Sequence, residues 1–377
     1  MAISITRAGA AGLAAAALAL GAAACGGSDN GSGSSSSSGS GGASASGKGA
    51  KIALLLPESK TTRYEQQDKP NFERRVKELC PDCQVIYANA DQDAAKQQQQ
   101  AEQAITNGAK AMVLDAVDVK SAAAIVTRAK QAKIPVVSYG RLVSNADLDY
   151  YVSIDPKKVG EQQGTALLDA LKKQGKQKGP VVMINGSPTD SNAAPYKQGA
   201  HSVLDAAGVK VAKEYDTPDW SPDKAQTEME QAITGVGKTG FAGVYVANDG
   251  MAGGAISAMK GAGIQPASRP VTGQDAEVAG LQRILAGDQL MTVYQPIKQL
   301  AAKAAELAVP LAQGKPVPAI AKSKVNNGEK DVASVLIDTQ AVDKKNMNDT
   351  VIADGFVTPA QLCTGQYAKA CKEAGIS

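Results

Sequence analysis

Eleven short apolar runs recur along this chain, at 51–56, 84–87, 111–114, 135–139, 151–154, 181–184, 209–215, 243–247, 270–273, 291–294 and 332–337. Stretches of helical period, such as 101–107, 122–131, 160–173 and 225–233, lie between most of them. Strands alternating with helices indicate parallel sheets covered on both faces. The expected fold class is α/β, as two doubly wound parallel-sheet lobes joined by several crossings, because no strong linker divides the series. In open sheets of this kind a ligand binds beyond the carboxyl ends of the strands. The loops that follow the runs are therefore where function is to be read.

The first fifty residues concern address. Arg7 precedes an apolar stretch over 8–24, whose length of about 17 residues suits a signal-peptide core better than a membrane span of roughly 20. It ends Leu20-Gly-Ala-Ala-Ala-Cys25, which resembles a bacterial lipoprotein cleavage site with Cys25 as the lipidated residue. Ordinary secretory cleavage after Ala24, leaving a free thiol, is the alternative. Residues 26–49 are almost wholly Gly, Ser and Ala and cannot bury apolar area to offset their chain entropy. They read as a disordered tether with a reach of roughly 27 Å. The expectation is an exported protein held by a lipid anchor at the outer face of a cell membrane: signal peptide 1–24, lipidated cysteine and tether 25–49, then a folded body.

Composition excludes much else. Forty Lys and Arg against 37 Asp and Glu give a net charge of +3, which is no footprint for a polyanion, so no nucleic-acid partner is expected. A single histidine, His201, removes Ser-His-Asp, Cys-His and multi-histidine zinc chemistry. The chain is expected not to be an enzyme and to hold no cofactor or metal. Besides Cys25, four cysteines remain and allow three connectivities; nearest-neighbour pairing, Cys80–Cys83 and Cys363–Cys371, is expected in an oxidising compartment. A redox role for Cys80-Pro-Asp-Cys83 is disfavoured, since such pairs open a helix and this one follows an amphipathic stretch at 72–79.

The loops after the runs share a chemistry. They include Pro57-Glu-Ser-Lys-Thr-Thr-Arg63-Tyr64, Ser138-Tyr139-Gly140-Arg141, Asn185-Gly-Ser-Pro188-Thr-Asp190-Ser-Asn192, Thr217-Pro-Asp219-Trp220, Ala247-Asn248-Asp249, Thr272-Gly273-Gln274-Asp275 and Tyr294-Gln295-Pro296. No nucleophile–base pair appears among them. Planar groups that donate and accept in pairs suit a neutral polyhydroxyl ligand, whose hydroxyls do both. The apolar faces of a sugar ring would pack on Trp220 and Tyr64. An Asn or Asp after a strand is also an ordinary helix cap, which is the reading preferred for Asp155 and Asp249.

These residues resemble the periplasmic sugar-binding proteins of ABC importers, the ribose/galactose/xylose group and its xylose-binding type in particular. The resemblance runs from about 51 to 356 and includes Tyr139-Gly-Arg-Leu-Val-Ser-Asn, Gly186-Ser-Pro-Thr-Asp-Ser-Asn192, Thr272-Gly-Gln-Asp-Ala-Glu277 and Met291-Thr-Val-Tyr-Gln-Pro296. It implies a type I periplasmic binding protein fold with a three-crossing hinge near 153–156, 294–297 and 326–334. The lobes would be 50–154 plus 297–328 and 155–294 plus 332–377. It implies sugar contacts from Arg63, Tyr64, Arg141, Asn192, Trp220, Asn248, Asp275 and Gln295. Its partners would be a monosaccharide and an ABC permease, with the protein a monomer. Two departures stand out: Gly140 replaces an Asp usually paired with Arg141, and Gln295 stands where xylose-type members carry Lys.

Other readings are weaker. Gly237-Lys238-Thr239 precedes a strand, whereas a phosphate loop follows one, and Ala232 occupies the place of its first glycine. The glutamines at 97–100 read as a solvated helix face. A sensory or signal receptor on the same fold is the functional alternative, delivering its ligand to a signalling partner and not to a permease.

Overall fold

The computed structural model describes residues 49–376. The expectations for the signal peptide, for Cys25 and for the tether up to Lys48 lie outside the described residues. Twelve strands follow in chain order: β1 (Lys51–Leu56), β2 (Gln84–Asn89), β3 (Ala109–Leu114), β4 (Val136–Tyr139), β5 (Tyr150–Ile154), β6 (Val181–Asn185), β7 (Val211–Asp216), β8 (Gly243–Val246), β9 (Thr292–Tyr294), β10 (Ser323–Asn326), β11 (Asp331–Ile337) and β12 (Gln340–Val342). The principal helices are α1 (Lys69–Leu79), α2 (Ala94–Thr106), α3 (Ala123–Gln131), α4 (Pro156–Lys173), α5 (Ala193–Ala206), α6 (Pro222–Val236), α7 (Asp249–Gly261), α8 (Val278–Ala286) and α9 (Ile297–Gln313).

A seven-stranded sheet in the order β10-β11-β5-β4-β3-β1-β2 forms the first lobe. All its pairings are parallel except β10 with β11. Its inner strands are apolar on both faces: Ile52 to Leu56 and Ala111 to Leu114 are all buried, because helices cover the sheet on either side. The second lobe is built on the parallel sheet β7-β6-β8 and on the antiparallel pair β12-β9. The run at 270–273 is not a strand; only Val271 bridges Val244.

Helix starts are written locally. Pro156 and Pro222 occupy the first turn of α4 and α6, behind caps in which Asp155 accepts from the N–H groups of Lys157 and Lys158 and Ser221 accepts from Lys224. Asp155 thus caps as expected. Asp249 does not: Asn248 is the cap of α7, its Oδ1 accepting from Met251 N at 3.0 Å. The Asp249 carboxylate is instead buried, accepting from Gln289, Thr292 and the Glu277 N–H.

Three passages join the lobes: between β5 and α4, between β9 and α9, and between β11 and β12. The first two fall at 155 and 295–296, within the ranges implied by the resemblance. The third is displaced. Residues 332–337, assigned to the second lobe from sequence, form β11 beside β5 in the first lobe's sheet. A tight turn at Asn327-Gly328 folds β10 back on β11 and keeps both strands in one sheet, so the chain leaves it only at 338–339. Disulfides join Cys80 to Cys83 just past α1 and Cys363 to Cys371 near the C-terminus.

Helices α4 and α5 pack through glycines. A Cβ on Gly160 would lie 1.9 Å from the Tyr196 carbonyl oxygen, and one on Gly199 would lie 2.1 Å from that of Lys157. Both obstacles are backbone, which cannot swing aside. Gly160→Ala is expected to force the helices apart at a cost of about 1–3 kcal/mol, read as a lower midpoint in thermal unfolding. A midpoint equal to or above that of the parent protein would contradict this packing.

Candidate functional site

One cavity lies where the strand ends of the two lobes face each other. From the first lobe it is lined by Glu58, Thr61, Arg63 and Tyr64 after β1, Asp115 after β3, and Gly140 and Arg141 after β4. From the second come Asp190 after β6, Tyr196 of α5, Trp220 after β7, Asn248 after β8, and Gln274 and Asp275; Gln295 adds a contact from the second passage. It is a small cavity, lined mostly by polar and charged side chains with Tyr64, Tyr196 and Trp220 among them.

The lobes touch around this cavity. Thr62 N donates to Glu277 Oε1 at 2.8 Å, Leu142 N to Ser191 Oγ at 2.8 Å, and Val119 N to Thr189 O at 3.1 Å. Arg141 Nε approaches Asp190 Oδ2 to 2.9 Å. These contacts shut the mouth and leave the lining side chains almost without solvent exposure.

Seven of the eight residues singled out from sequence line the cavity: Arg63, Tyr64, Arg141, Trp220, Asn248, Asp275 and Gln295. Asn192 does not. Its Nδ2 donates to the Gly140 carbonyl at 3.0 Å, so it closes the rim between lobes.

Two arginines organise the polar groups. Arg63 makes a two-pronged pair with Asp68, Nε to Oδ2 at 2.9 Å and Nη2 to Oδ1 at 2.8 Å, and Nη1 donates to Gln295 Oε1 at 2.8 Å. Gln295 Nε2 in turn donates to Asp275 Oδ1 at 3.0 Å. The amide thus joins a cation to a carboxylate, a task that a lysine in its place could not perform, having no acceptor. Arg141 donates through Nη1 to the Ala116 carbonyl at 2.8 Å and sits between Asp190 and Asp115.

The aromatic wall is fixed from behind. Trp220 Nε1 donates to Asp190 Oδ2 at 3.2 Å, and its ring meets Tyr196 edge-on with centroids 6.3 Å apart. Trp220 and Asp275 also hold left-handed backbone, with φ of 51° and 90°. Such strain costs of order 1–3 kcal/mol per residue and persists where the surroundings over-determine it, as at ligand clamps. Burial pushes the Asp275 carboxyl up to about 7, opposed by Arg63. Burial likewise holds Asp115 well above the usual carboxylate range despite Arg141 and Arg63. Among the described residues no cluster of His, Cys, Asp or Glu could hold a metal ion.

Sequence reading left out six lining residues. Glu58, Thr61, Asp190 and Gln274 lie inside the loops it quoted but were indistinguishable there from turn residues. Tyr196 lies on α5, outside the loops that follow the strands. Asp115 ends a strand and carried no signal. Gln97 is a correction: it is buried and not solvated, with Nε2 donating to Asp115 O at 2.8 Å and Oε1 accepting from Val117 N at 2.9 Å. The backbone leaving β3 has no sheet partner there, and this amide supplies one.

Two α/β lobes shut over a polar cavity at their strand ends are the architecture of a solute-binding protein. A model of the periplasmic binding protein domain matches residues 52–316, and the chain belongs to that family. The D-xylose-binding periplasmic protein of Haemophilus influenzae is 38% identical over 316 residues, spanning 83% of this chain and 92% of that protein. Its Escherichia coli namesake is 36% identical over the same shares. An ABC transporter solute-binding protein from Clostridium phytofermentans, solved with bound β-D-glucose, superposes with a TM-score of 0.73 at 27% identity, covering 83% of this chain and 99% of that one.

Proposed function

We propose that the protein captures a neutral monosaccharide, a xylose-like aldopentose or related aldose, between its lobes and delivers it to the permease of an ABC importer. The observation that carries this reading is the cavity's lining: it is walled by Trp220 and Tyr64 and ringed by Arg141, Asn248, Asp275 and Asp115. Each hydroxyl of a sugar can both donate to a carboxylate and accept from an arginine or amide. Both cations are already paired with carboxylates, so an anionic sugar would meet no free positive charge. The two relatives named for D-xylose and the structure holding β-D-glucose support the same class.

The chain's N-terminus extends the proposal: export, lipidation at Cys25 and the 26–49 tether would hold a monomer near the membrane that contains the permease. The two disulfides suit that oxidising side. Catalysis forms no part of this reading.

Trp220 is the one tryptophan and stands in the cavity wall, so its fluorescence reports occupancy directly. Titration with D-xylose, D-glucose, D-ribose and D-galactose should change it saturably with at least one sugar. No change, together with no calorimetric heat from any of them, would refute the proposal.

A pH dependence follows from Asp275. An aspartate in the unfolded chain titrates near 3.9, while burial holds Asp275 up to about 7. Between those values the folded form carries a proton that the unfolded form has lost. Stability without ligand therefore falls as pH rises from about 4 to 7, by up to roughly 1.4 kcal/mol per pH unit for one such group. Sugar hydroxyls donating to Asp275 favour its charged form, so binding should tighten toward pH 8 and release protons near pH 6.5. Calorimetry in buffers of different ionisation heat reads this; proton uptake would contradict it.

A further inference from the structure

Residue 140 has no side chain, and the structure gives the reason. Gly140 has φ of +64°, and a Cβ placed on it would lie 2.4 Å from Asp115 Oδ2 and 3.1 Å from Asp115 Cγ. The carboxylate of Asp115 already fills the space of a side chain at 140. Strand register brings it there: Met112 pairs with Val136, Val113 with Val137 and Leu114 with Ser138, which sets Asp115 level with Tyr139.

Asp115 is fully buried and lines the cavity, yet neither of its oxygens receives a hydrogen bond within the described structure. The nearest cation, Arg141 Nε, stands 3.6 Å away and is closer to Asp190, at 2.9 Å. The backbone of Asp115 is held on both sides, N donating to Leu55 O at 2.9 Å and O accepting from Gln97 Nε2 at 2.8 Å. A carboxylate with two empty acceptors, fixed by its backbone and aimed into a cavity, is costly unless something that enters the cavity donates to it.

We propose that Asp115 is a specificity-determining acceptor of this site, gripping sugar hydroxyls from the space residue 140 would occupy, and that position 140 is glycine to admit it. The inference rests on the sugar-capture reading above and names the residue that selects within it. A carboxylate presents two oxygens, so it suits a ligand with two neighbouring hydroxyls, as every pyranose has. The same carboxylate penalises a ligand that brings a negative charge to that position.

The test is calorimetric titration with D-xylose and D-glucose of the parent protein, Asp115→Ala, Asp115→Asn, and the double variant Asp115→Ala with Gly140→Asp. Asp115→Ala should weaken the better-bound sugar by roughly 10–100-fold with an unfolding midpoint unchanged or raised in the absence of sugar, since a buried carboxylate without a hydrogen bond has gone. Asp115→Asn keeps the shape and one acceptor, and should lose affinity by a smaller factor. The double variant returns a carboxylate to the same space and should recover most of the loss. Affinity within twofold of the parent in both single variants would overturn the assignment of Asp115 while leaving sugar capture intact. A lowered midpoint with affinity retained would assign Asp115 a structural role and overturn it equally. Absence of binding by the parent to D-xylose, D-glucose, D-ribose and D-galactose alike would remove the capture reading and this inference together.

Discussion

Arg141→Met is expected to weaken sugar binding by at least about 100-fold while changing the unfolding midpoint of the unliganded protein much less. Arg141 is 3% exposed and stands between carboxylates of different lobes, Asp190 at 2.9 Å and Asp115 at 3.6 Å. Removing one partner from a buried ion pair costs about 3–5 kcal/mol, because the remaining charge stays desolvated. Here the pair spans the cleft, so the cost falls on closure: when the lobes separate, water reaches Asp190 and Asp115. Each 1.4 kcal/mol is tenfold in affinity, which gives the factor stated. Calorimetry with D-xylose and D-glucose reads the affinity, and thermal unfolding reads the stability. A variant that binds within threefold of the parent would place Arg141 outside the closing machinery.

Arg63→Met should produce the opposite balance, a fall of roughly 10 °C in unfolding midpoint with or without sugar. Arg63 and Asp68 are five residues apart in one lobe, 8% and 1% exposed, and bonded through both guanidinium edges. The Tyr139 hydroxyl also donates to Asp68, so the carboxylate is a junction between the β1 loop and β4. Both partners lie in one lobe, so opening the cleft does not separate them, and the lost cation therefore destabilises the fold. Adding Asp68→Asn to Arg63→Met should recover part of the midpoint, since it removes the stranded charge. Equal midpoints for Arg63→Met and the parent would show that the pair contributes nothing to folding. The two arginines looked alike in sequence, each a lone cation in a loop after a strand. Their different roles come from where their partners sit, within one lobe or across two.

Strand and helix alternation was legible because buried parallel strands such as β1 and β3 are apolar throughout, and that pattern survives without any knowledge of pairing. The short edge strands were not legible. In β10 and β12 exposed residues alternate with partly buried ones, Lys324 and Gln340 among those exposed, and the run at 270–273 looks like a strand although one bridge is all it makes. The third passage, placed at 326–334 by the resemblance, was misplaced because the turn at Asn327-Gly328 joins two strands of one sheet. In the site, residues with unusual chemistry in loops were found, and those whose role depends on register were not. Asp115 is the clearest instance. An aspartate after a strand is ordinary, and only the alignment of β3 with β4 sets it in the space that Gly140 leaves open. Tyr196 was hidden by lying on a helix whose other buried positions serve packing alone.

A sugar in the cavity between the lobes will be visible in a crystal structure of the protein grown with D-xylose or D-glucose. One sugar ring should stack on Trp220, with hydroxyls within hydrogen-bond distance of Arg141, Asn248, Asp275 and Asp115. Lobes closed over an empty cavity at saturating sugar, or a ring bound elsewhere with these four side chains untouched, would contradict it.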